Sequence, residues 1–327
     1  MGELLERRRA DTSARIQELR KHLTKAEQLC GSVACVYATG SFGRGEASHH
    51  SDLDLFIVGT GTRERRSLPP LDEILIKAEL IQATRKLGIP DFSGGGEYLT
   101  HYTIDELVGT LGTPEDDAKN TFTARLLLLL ESSPLLGQTV YRQVIQDVIA
   151  AYWRDYEGHE SDFIPAFLAN DVLRMWRTFC VNYEARTKTE PPEKKAKRKL
   201  KNYKLKHSRL LTCYSAMLYL LARFASTGTI TPKDTENMLV LSPTQRMEWI
   251  TSQAQLGAAH STVASLLTLY EEFLAQTDAS EDEMVARFLK RESSSKYLHS
   301  TYKFGDLIFD LLEIIGAKNR FHRLLVV

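Results

Sequence analysis

Two short stretches decide how this sequence is interpreted: Gly40-Ser41-Phe42-Gly43-Arg44-Gly45-Glu46 and Ser51-Asp52-Leu53-Asp54-Leu55. An apolar, β-branched run at residues 33–38 comes before the first stretch, and the second continues as an apolar run over residues 53–58. Each run has the length and composition of a buried strand. Both polar stretches therefore lie where a predicted strand begins or ends.

The acidic pair carries the chemistry. Asp52 and Asp54 are two residues apart, and on an extended strand such residues point to the same face. Two carboxylates this close repel unless a cation lies between them, and a hard dication such as Mg²⁺ or Mn²⁺ prefers oxygen ligands. Two such ions can hold the attacking and leaving oxygens of an in-line phosphoryl displacement.

The glycine-rich stretch predicts an anion site. Gly40 and Ser41 lie where a strand turns into a short helix, so backbone N–H groups and the Ser41 hydroxyl can face a triphosphate. Arg44 follows at the same turn and has two candidate roles: it contacts phosphate, or it holds the loop by pairing with Glu46 or another carboxylate. Either stretch alone is weak evidence, but the two together, in this order between two strands, favour a functional site.

Periodicity divides the chain into a small α/β part and a helical part. We predict an amphipathic helix over residues 3–29, a helix over residues 71–87 and a third strand over residues 97–103. From residue 113 onward helical periods dominate and strand signals almost vanish. The helices are predicted at residues 114–133, 138–156, 163–187, 200–226, 243–254, 260–275, 280–292 and 303–317. The predicted fold class is α+β, with domains at 1–112 and 113–327.

The two stretches resemble the signature of the DNA polymerase beta-like nucleotidyltransferase superfamily. Within it, the sequence Gly43-Arg44-Gly45-Glu46 is similar to that of bacterial regulatory uridylyl- and adenylyltransferases. The resemblance covers about the first hundred residues. It implies a small mixed sheet, two Mg²⁺ ions bound by Asp52 and Asp54, and transfer of a nucleoside monophosphate from an NTP with release of pyrophosphate. It also implies a helical domain that closes the nucleotide cleft.

The resemblance further implies a third carboxylate that binds metal and assists the attacking hydroxyl. Glu97, at the start of the predicted third strand, is the first candidate, and Asp91 is the second. Asp105 is expected to cap a helix instead. His49 and His50 precede Asp52, and we expect them to be exposed loop residues.

Residues 186–209 form a basic segment with eleven Lys or Arg and two Glu, in a chain whose 42 basic and 42 acidic residues balance overall. Residues 188–198 contain Pro191-Pro192 and predict a mobile loop, and residues 199–211 predict a helix. Since the superfamily commonly contacts the triphosphate from its second domain, Lys204, Lys206 and Arg209 are candidates for that role. So dense a patch also suits an RNA or tRNA acceptor.

Other polar residues in the helical part favour structural roles. Asn170, Asp171, Arg174 and Arg177 interrupt an apolar helix, and Asp171 with Arg174 forms an i,i+3 pair. Buried polar groups of this kind usually satisfy one another, so lining of a cleft is the less favoured interpretation. Arg125, within a leucine-rich run, is expected to behave in the same way.

The bulk composition favours a cytoplasmic protein. The charged N-terminus does not have the apolar core of a signal peptide, and no run approaches the length of a membrane span. The four scattered cysteines are typical of reduced thiols, so we expect no disulfide partner and no membrane partner.

The predicted activity is NMP transfer to an acceptor hydroxyl, and the sequence leaves the nucleotide open, ATP included. RNA, a protein side chain, a second nucleotide and an aminoglycoside are all candidate acceptors. By analogy with small bacterial nucleotidyltransferases, a toxin or phage-defence enzyme is one context. A catalytically silent NTP- or RNA-binding regulator is the alternative from another class.

Overall fold

The computed structural model describes residues 2–92, 96, 99–184 and 191–326, and it divides the chain into two compact units, residues 3–154 and 155–327. The first unit contains all four strands of the described chain, among eight helices. Its elements are α1 (Glu3–His22), α2 (Thr24–Cys30), β1 (Ala34–Thr39), α3 (Gly40–Gly43), β2 (Asp54–Gly59), α4 (Pro70–Lys86), β3 (His101–Thr103), α5 (Ile104–Gly109), α6 (Pro114–Ala118), α7 (Thr121–Glu131), β4 (Ser133–Leu136) and α8 (Gln138–Tyr152).

The four strands form one mixed sheet in the order β3-β2-β1-β4. β1 is antiparallel to both β2 and β4, whereas β2 and β3 are parallel. Alternate residues of β1 and β2 point to one face, where they form an apolar core with α1, α2 and α4. The α+β class and the small mixed sheet are thus as predicted.

The opposite face of the sheet is covered by helices that come after residue 112, the predicted domain boundary, in the sequence. Tyr37 of β1 stacks on Phe56 of β2 at 5.5 Å between ring centroids, and its hydroxyl donates to the carbonyl of Ala124 in α7 at 3.1 Å. Tyr141 of α8 lies 6.1 Å from Tyr37. Because α7, β4 and α8 complete this layer, the first unit ends at residue 154 and not at residue 112 as we expected.

The regular elements of the second unit are all helical within its described residues. Its helices are α9 (Ala166–Glu184), α10 (Pro192–Lys204), α11 (Leu210–Thr227), α12 (Pro232–Leu239), α13 (Pro243–Ser252), α14 (Gly257–Gln276), α15 (Glu281–Leu289), α16 (Arg291–Gly316) and α17 (Arg320–Val326). A π-helical segment, Leu205–Arg209, joins α10 to α11. α11 is buried along most of its length and forms the centre of the unit.

Several predicted elements differ from the structure. The helix predicted over residues 3–29 is divided into α1 and α2, and the helix predicted over residues 114–133 is divided into α6 and α7 and followed by β4, which we did not predict. The third strand is shorter than residues 97–103: within the described residues it begins at His101. The expected loop at residues 188–198 is helical from Pro192 onward, because Pro is favourable in the first turn of a helix and Ala196 and Leu200 supply a buried seam. No helix in the described part of the chain has the length and apolarity that crossing a bilayer requires.

Candidate active site

The glycine-rich turn begins where β1 ends. Gly40 has φ of +64°, a conformation that costs a glycine little, and a Cβ at this position would lie 2.8 Å from Oδ2 of Asp54. Gly43 is close to α7, since its Cβ would lie 1.9 Å from the carbonyl oxygen of Glu131. The two glycines let the turn approach a carboxylate on one side and a helix end on the other.

The acidic pair faces away from the apolar core. Leu53 and Leu55 are each 1% exposed and pack into the core, while Asp52 and Asp54 on the alternate positions are partly exposed. The antiparallel register pairs Asp54 with Thr39, the residue before Gly40. This pairing brings together two motifs that are about ten residues apart in the sequence, and it places Asp54 beside the glycine-rich turn. Asp52 precedes β2, so it does not lie on the strand as we predicted.

Arg44 is buried between two carboxylates. Its Nε donates to Oε2 of Glu46 at 2.8 Å, and its Nη1 donates to Oε2 of Glu131 at 2.9 Å. The side chains of Glu46 and Glu131 are almost fully buried. Of the two candidate roles for Arg44, this geometry corresponds to holding the loop.

Glu131, which the sequence analysis did not identify, also contacts the predicted phosphate site. The amide of Gly40 donates to Oε1 of Glu131 at 3.0 Å, so in this structure a protein carboxylate accepts that N–H group. The amide of Ser41 lies in the first turn of α3, where the helix itself supplies no acceptor. The signal in the sequence is the acid that directly follows the apolar run Leu126 to Leu130.

Helix α1 holds the loop that joins the two motifs. The hydroxyl of Thr12 accepts from the Ala47 amide at 2.9 Å, and Arg8 donates to the Ala47 carbonyl at 3.3 Å. Arg15 donates to the Ser48 carbonyl at 2.5 Å and lies 4.7 Å from the ring centroid of Phe42. Burial and the neighbouring Arg8 lower the pKa of Arg15. The position of the loop therefore depends on a helix far from it in sequence.

The third carboxylate stays a prediction. Glu97 lies outside the described residues. The side chain of Asp91 is 81% exposed and lies 3.6 Å from Arg85. Residues 2–92, 99–184 and 191–326 contain no group of three or more His, Cys, Asp or Glu side chains placed to hold a metal ion.

Two neighbouring expectations can be compared directly with the structure. His49 and His50 are exposed, as predicted. Asp105 does not cap a helix: Thr103 is the N-cap of α5, and Glu106 completes a capping box with it. A threonine with a glutamate three residues later is the usual sequence signature of such a box. The acid that takes part in capping is therefore Glu106 and not its neighbour Asp105.

The candidate triphosphate contacts from the helical part lie at or near the π-helical segment. Lys204 ends α10 and is exposed. Nζ of Lys206 is 5.6 Å from the ring centroid of Tyr302, and the guanidinium of Arg209 is 5.7 Å from that of Phe179. Their contact with nucleotide stays a prediction.

The polar residues of α9 line a surface groove. Asp171 is 3% exposed and accepts a hydrogen bond from Arg174 at 3.4 Å, the i,i+3 pair predicted from the sequence. Asn170, Arg174 and Arg177 line a groove of about 310 Å³ with Leu173, Thr178 and Val181.

Arg125 has a structural role, as expected. Its guanidinium is fully buried and donates to Asp116, to the Leu107 carbonyl and to the Tyr152 hydroxyl at 2.6–3.1 Å.

The acidic pair supplies two carboxylate ligands of the kind that a divalent cation prefers. Asp52, just before β2, and Asp54, its first residue, are both partly exposed and carry the carboxylate oxygens that such an ion prefers. No ion pair within the described residues involves Asp52. Mg²⁺ commonly uses one or two protein carboxylates and completes its shell with water and substrate phosphates, so two acids suffice to begin a site.

Residues 18–93 match the family model of a nucleotidyltransferase domain. The chain thus contains a nucleotidyltransferase domain of the polymerase beta-like superfamily. The match includes Gly40, Ser41, Arg44, Asp52 and Asp54, and this domain classifies the chain as a nucleotidyltransferase enzyme.

The nucleotidyltransferase match begins within α1, so Arg8, Thr12 and Arg15 lie outside it, as does Glu131. These four residues nevertheless hold the turn and loop of the matched domain. No curated protein and no solved structure matches the chain.

Proposed function

We propose that this nucleotidyltransferase transfers a nucleoside monophosphate from an NTP to an acceptor hydroxyl and releases pyrophosphate. The observation that carries the proposal is the acidic motif beside the glycine-rich turn: Asp54 begins β2 with its carboxylate against Gly40, and Asp52 lies two residues before the strand. A non-catalytic pocket gains nothing from two adjacent acids, whereas phosphoryl transfer needs charge stabilisation on several oxygens at once.

In this reaction the acceptor oxygen forms a bond to the α-phosphorus while the bond from that phosphorus to the pyrophosphate oxygen breaks. Asp52 and Asp54 would hold Mg²⁺ or Mn²⁺, with Glu97 as the proposed third ligand. When bound, the metal supplies positive charge that stabilises the phosphate oxygens. Glu97 or Asp91 is the proposed acceptor of the proton of the attacking hydroxyl.

The triphosphate has two proposed sets of contacts. Ser41 and the first turn of α3 face it from the nucleotidyltransferase domain, and Gly40 lets the turn approach it. Lys204, Lys206 and Arg209 are the proposed contacts from the helical unit, where their positive charge favours the pyrophosphate leaving group. Arg44 acts by keeping the turn in place through Glu46 and Glu131.

We favour RNA, including a tRNA 3′ end, as the acceptor, because the basic segment offers a polyanion many cations. A protein side chain, a second nucleotide in second-messenger synthesis and an aminoglycoside are the competing acceptors. A toxin or phage-defence role rests on analogy with the superfamily. A reaction that consumes NTP requires the nucleotide pool of the cytoplasm, where we place the protein.

One specific observation favours a second candidate, a catalytically silent NTP- or RNA-binding regulator. The Gly40 amide, which the sequence predicts to face the triphosphate, already donates to Glu131. An enzyme in this state would need an activator or a bound nucleotide to rearrange the turn. A regulator would bind NTP without transferring the nucleoside monophosphate.

Transfer of radioactive label tests the proposal. The purified protein is incubated with each α-³²P-labelled NTP, Mg²⁺ or Mn²⁺, and bacterial RNA or protein extract. We expect label in one acceptor class, and we expect Asp52→Asn and Asp54→Asn each to lower it by at least ~100-fold. Asp105→Asn, which changes an exposed acid on α5, is the matched control and should keep wild-type activity. Nucleotide binding without incorporation of any label would instead support the regulator.

A further inference from the structure

Helix α10 has a narrow buried seam and an otherwise cationic surface. Ala196, Leu200 and Tyr203 are each about 2% exposed and follow the i, i+4, i+7 spacing of one helix face. The ring of Tyr203 packs 5.7 Å from that of Phe288 in α15. The helix contains seven Lys or Arg and one acid, Glu193.

The side of α10 opposite the seam is defined by Lys194, Arg198 and Lys201. A helix turns by about 100° per residue, so these three positions lie roughly opposite Ala196 and Leu200. Lys195 lies beside them. We call these four residues the outer face of α10. Lys194, Lys195 and Lys201 are exposed, and Arg198 is partly exposed.

Glu281 of α15 pairs with one flank of α10. Lys197 lies 2.5 Å from Glu281 at the start of α15, and this hydrogen bond is the main reason that the pKa of Glu281 is lowered. Lys201 and Lys204 lower it further. α15 also places Asp282 and Glu283 in its first turn. Seven cations against Glu193 and these three acids still leave the region positive.

The chemistry of the outer face favours a phosphodiester backbone over a lipid surface. A helix that lies on a membrane needs exposed apolar residues, but Ala196, Leu200 and Tyr203 are the apolar residues of α10 and all are buried. From Lys194 to Lys201 the helix rises by about 10 Å, enough to meet several phosphates of one strand. Lysine contacts to phosphate position a nucleic acid without reading its sequence.

We propose that the outer face of α10 binds the sugar-phosphate backbone of an RNA acceptor, independently of its sequence. This inference rests on the proposed function, because it names the acceptor class of the same reaction. It goes beyond that function by assigning the contact to Lys194, Lys195, Arg198 and Lys201, which are separate from the candidate triphosphate contacts.

Fluorescence anisotropy with a labelled 20-nucleotide single-stranded RNA tests the inference. Full-length protein carrying Asp52→Asn and Asp54→Asn is used in EDTA, so that binding is measured without turnover. We expect the triple variant Lys194→Glu/Lys195→Glu/Lys201→Glu to bind at least ~10-fold more weakly. Its plot of log K against log salt should be shallower by about 2, since each contact to a single strand contributes roughly 0.7.

The matched control is Lys21→Glu/Lys25→Glu/Lys233→Glu, which makes the same change in net charge at three exposed lysines outside α10. It should keep the wild-type salt slope. Thermal unfolding checks that each variant is folded, and Lys→Gln changes at the same three α10 positions replace the triple Glu variant if it is not.

Two results would overturn the inference: an unchanged salt slope in the α10 variant, or the absence of RNA binding by the parent protein. Vesicles containing phosphatidylserine provide the comparison, and α10-dependent binding to them without RNA binding would assign the face to a membrane instead. None of these results depends on catalysis. Label transfer to a protein or nucleotide acceptor would therefore leave the proposed NMP transfer intact even if the RNA surface were disproved.

Discussion

At Gly40 the backbone has to meet two demands. Its φ of +64° is unfavourable for any residue with a Cβ, and the space where that Cβ would lie is taken by the Asp54 carboxylate. Gly88 shares the first demand, with φ of +62°, but a Cβ there would meet nothing within 4 Å. Comparing substitutions at Gly40 and Gly88 therefore distinguishes the effect of backbone strain from the effect of displacing Asp54.

We expect Gly40→Ala to lower NMP transfer by about 100-fold, because a displacement of roughly 1 Å at a reacting centre costs about that much. Gly88→Ala should cost about 1 kcal/mol of stability and leave the transfer rate unchanged. Initial rates of pyrophosphate release and urea denaturation measure the two effects. Equal rates for the two variants would show that Asp54 does not need to lie against the turn.

His207 is a buried base in the helical unit. It is 0% exposed, its ring stacks on Phe273 at 4.6 Å, and its Nδ1 lies 2.9 Å from the carbonyl oxygen of Tyr203. Burial lowers the pKa of His207 from 6.5 to about 4, although the hydrogen bond to the Tyr203 carbonyl opposes this shift. Between about pH 6.5 and pH 4 the unfolded chain therefore binds a proton at this residue that the folded chain does not.

This difference predicts that stability is lost as the pH falls from about 6.5 to 4, by about 3 kcal/mol from this group. The variant His207→Phe should lack that part of the loss, whatever its stability at neutral pH. His299→Phe, which changes an exposed histidine of α16, should keep it. Urea denaturation at pH 7.5 and pH 4 measures the difference, and parallel losses in all three proteins would contradict a neutral buried His207.

At the scale of elements, α1 serves the site without contributing a predicted catalytic group. Thr12 is 1% exposed, and its hydroxyl accepts from the amide of Ala47, in the loop between the glycine-rich turn and the acidic pair. In Thr12→Val the shape is kept but that buried amide loses its acceptor. The result should be a loss of about 1–3 kcal/mol of stability together with slower transfer.

Thr84→Val is the comparison for Thr12→Val. Thr84 is 2% exposed, but its hydroxyl donates to carbonyls of its own helix, Leu80 and Ile81, which the helix already satisfies. We expect a loss of less than about 1 kcal/mol and an unchanged rate. If urea denaturation and initial rates do not distinguish the two variants, α1 is a stabilising element only.

The elements that sequence reasoning missed have local causes. β4 is four residues long and contains Pro134, so it shows neither the length nor the alternation by which strands are recognised. It forms because β1 has an open edge next to it. α10 begins earlier than predicted because Pro191-Pro192 indicated a loop, although the second proline starts the helix.

At the scale of the molecule, the boundary between the units depends on which helices cover the sheet. A strand with two buried faces needs a layer on each, and α7 and α8 provide the second layer for β1. Arg125 in α7 and Asp116 in α6 form a fully buried ion pair, and both residues follow the predicted boundary at residue 112. Arg125 also donates to the carbonyl of Leu107, which precedes that boundary.

The boundary predicts the behaviour of two fragments. Residues 1–154 should unfold cooperatively, whereas residues 1–112 should not fold, because they lack β4 and expose Tyr37 and Phe56. Circular dichroism during urea denaturation and the dispersion of amide signals in NMR spectra provide the measurement. Cooperative unfolding of the shorter fragment would restore the boundary near residue 112.

The sequence by itself determined the class of the fold and the position of the candidate site. Strand alternation predicts one face for Asp52 and Asp54, and a glycine-rich turn after a strand needs no distant partner to be recognised, so both predictions follow from local geometry. Tertiary structure alone decided that Glu131 accepts from the Gly40 amide, that α1 holds the connecting loop, and that the first unit extends to residue 154. Such contacts join residues that are 35 to 91 positions apart, and periodicity contains no information about which distant side chain fills a given space.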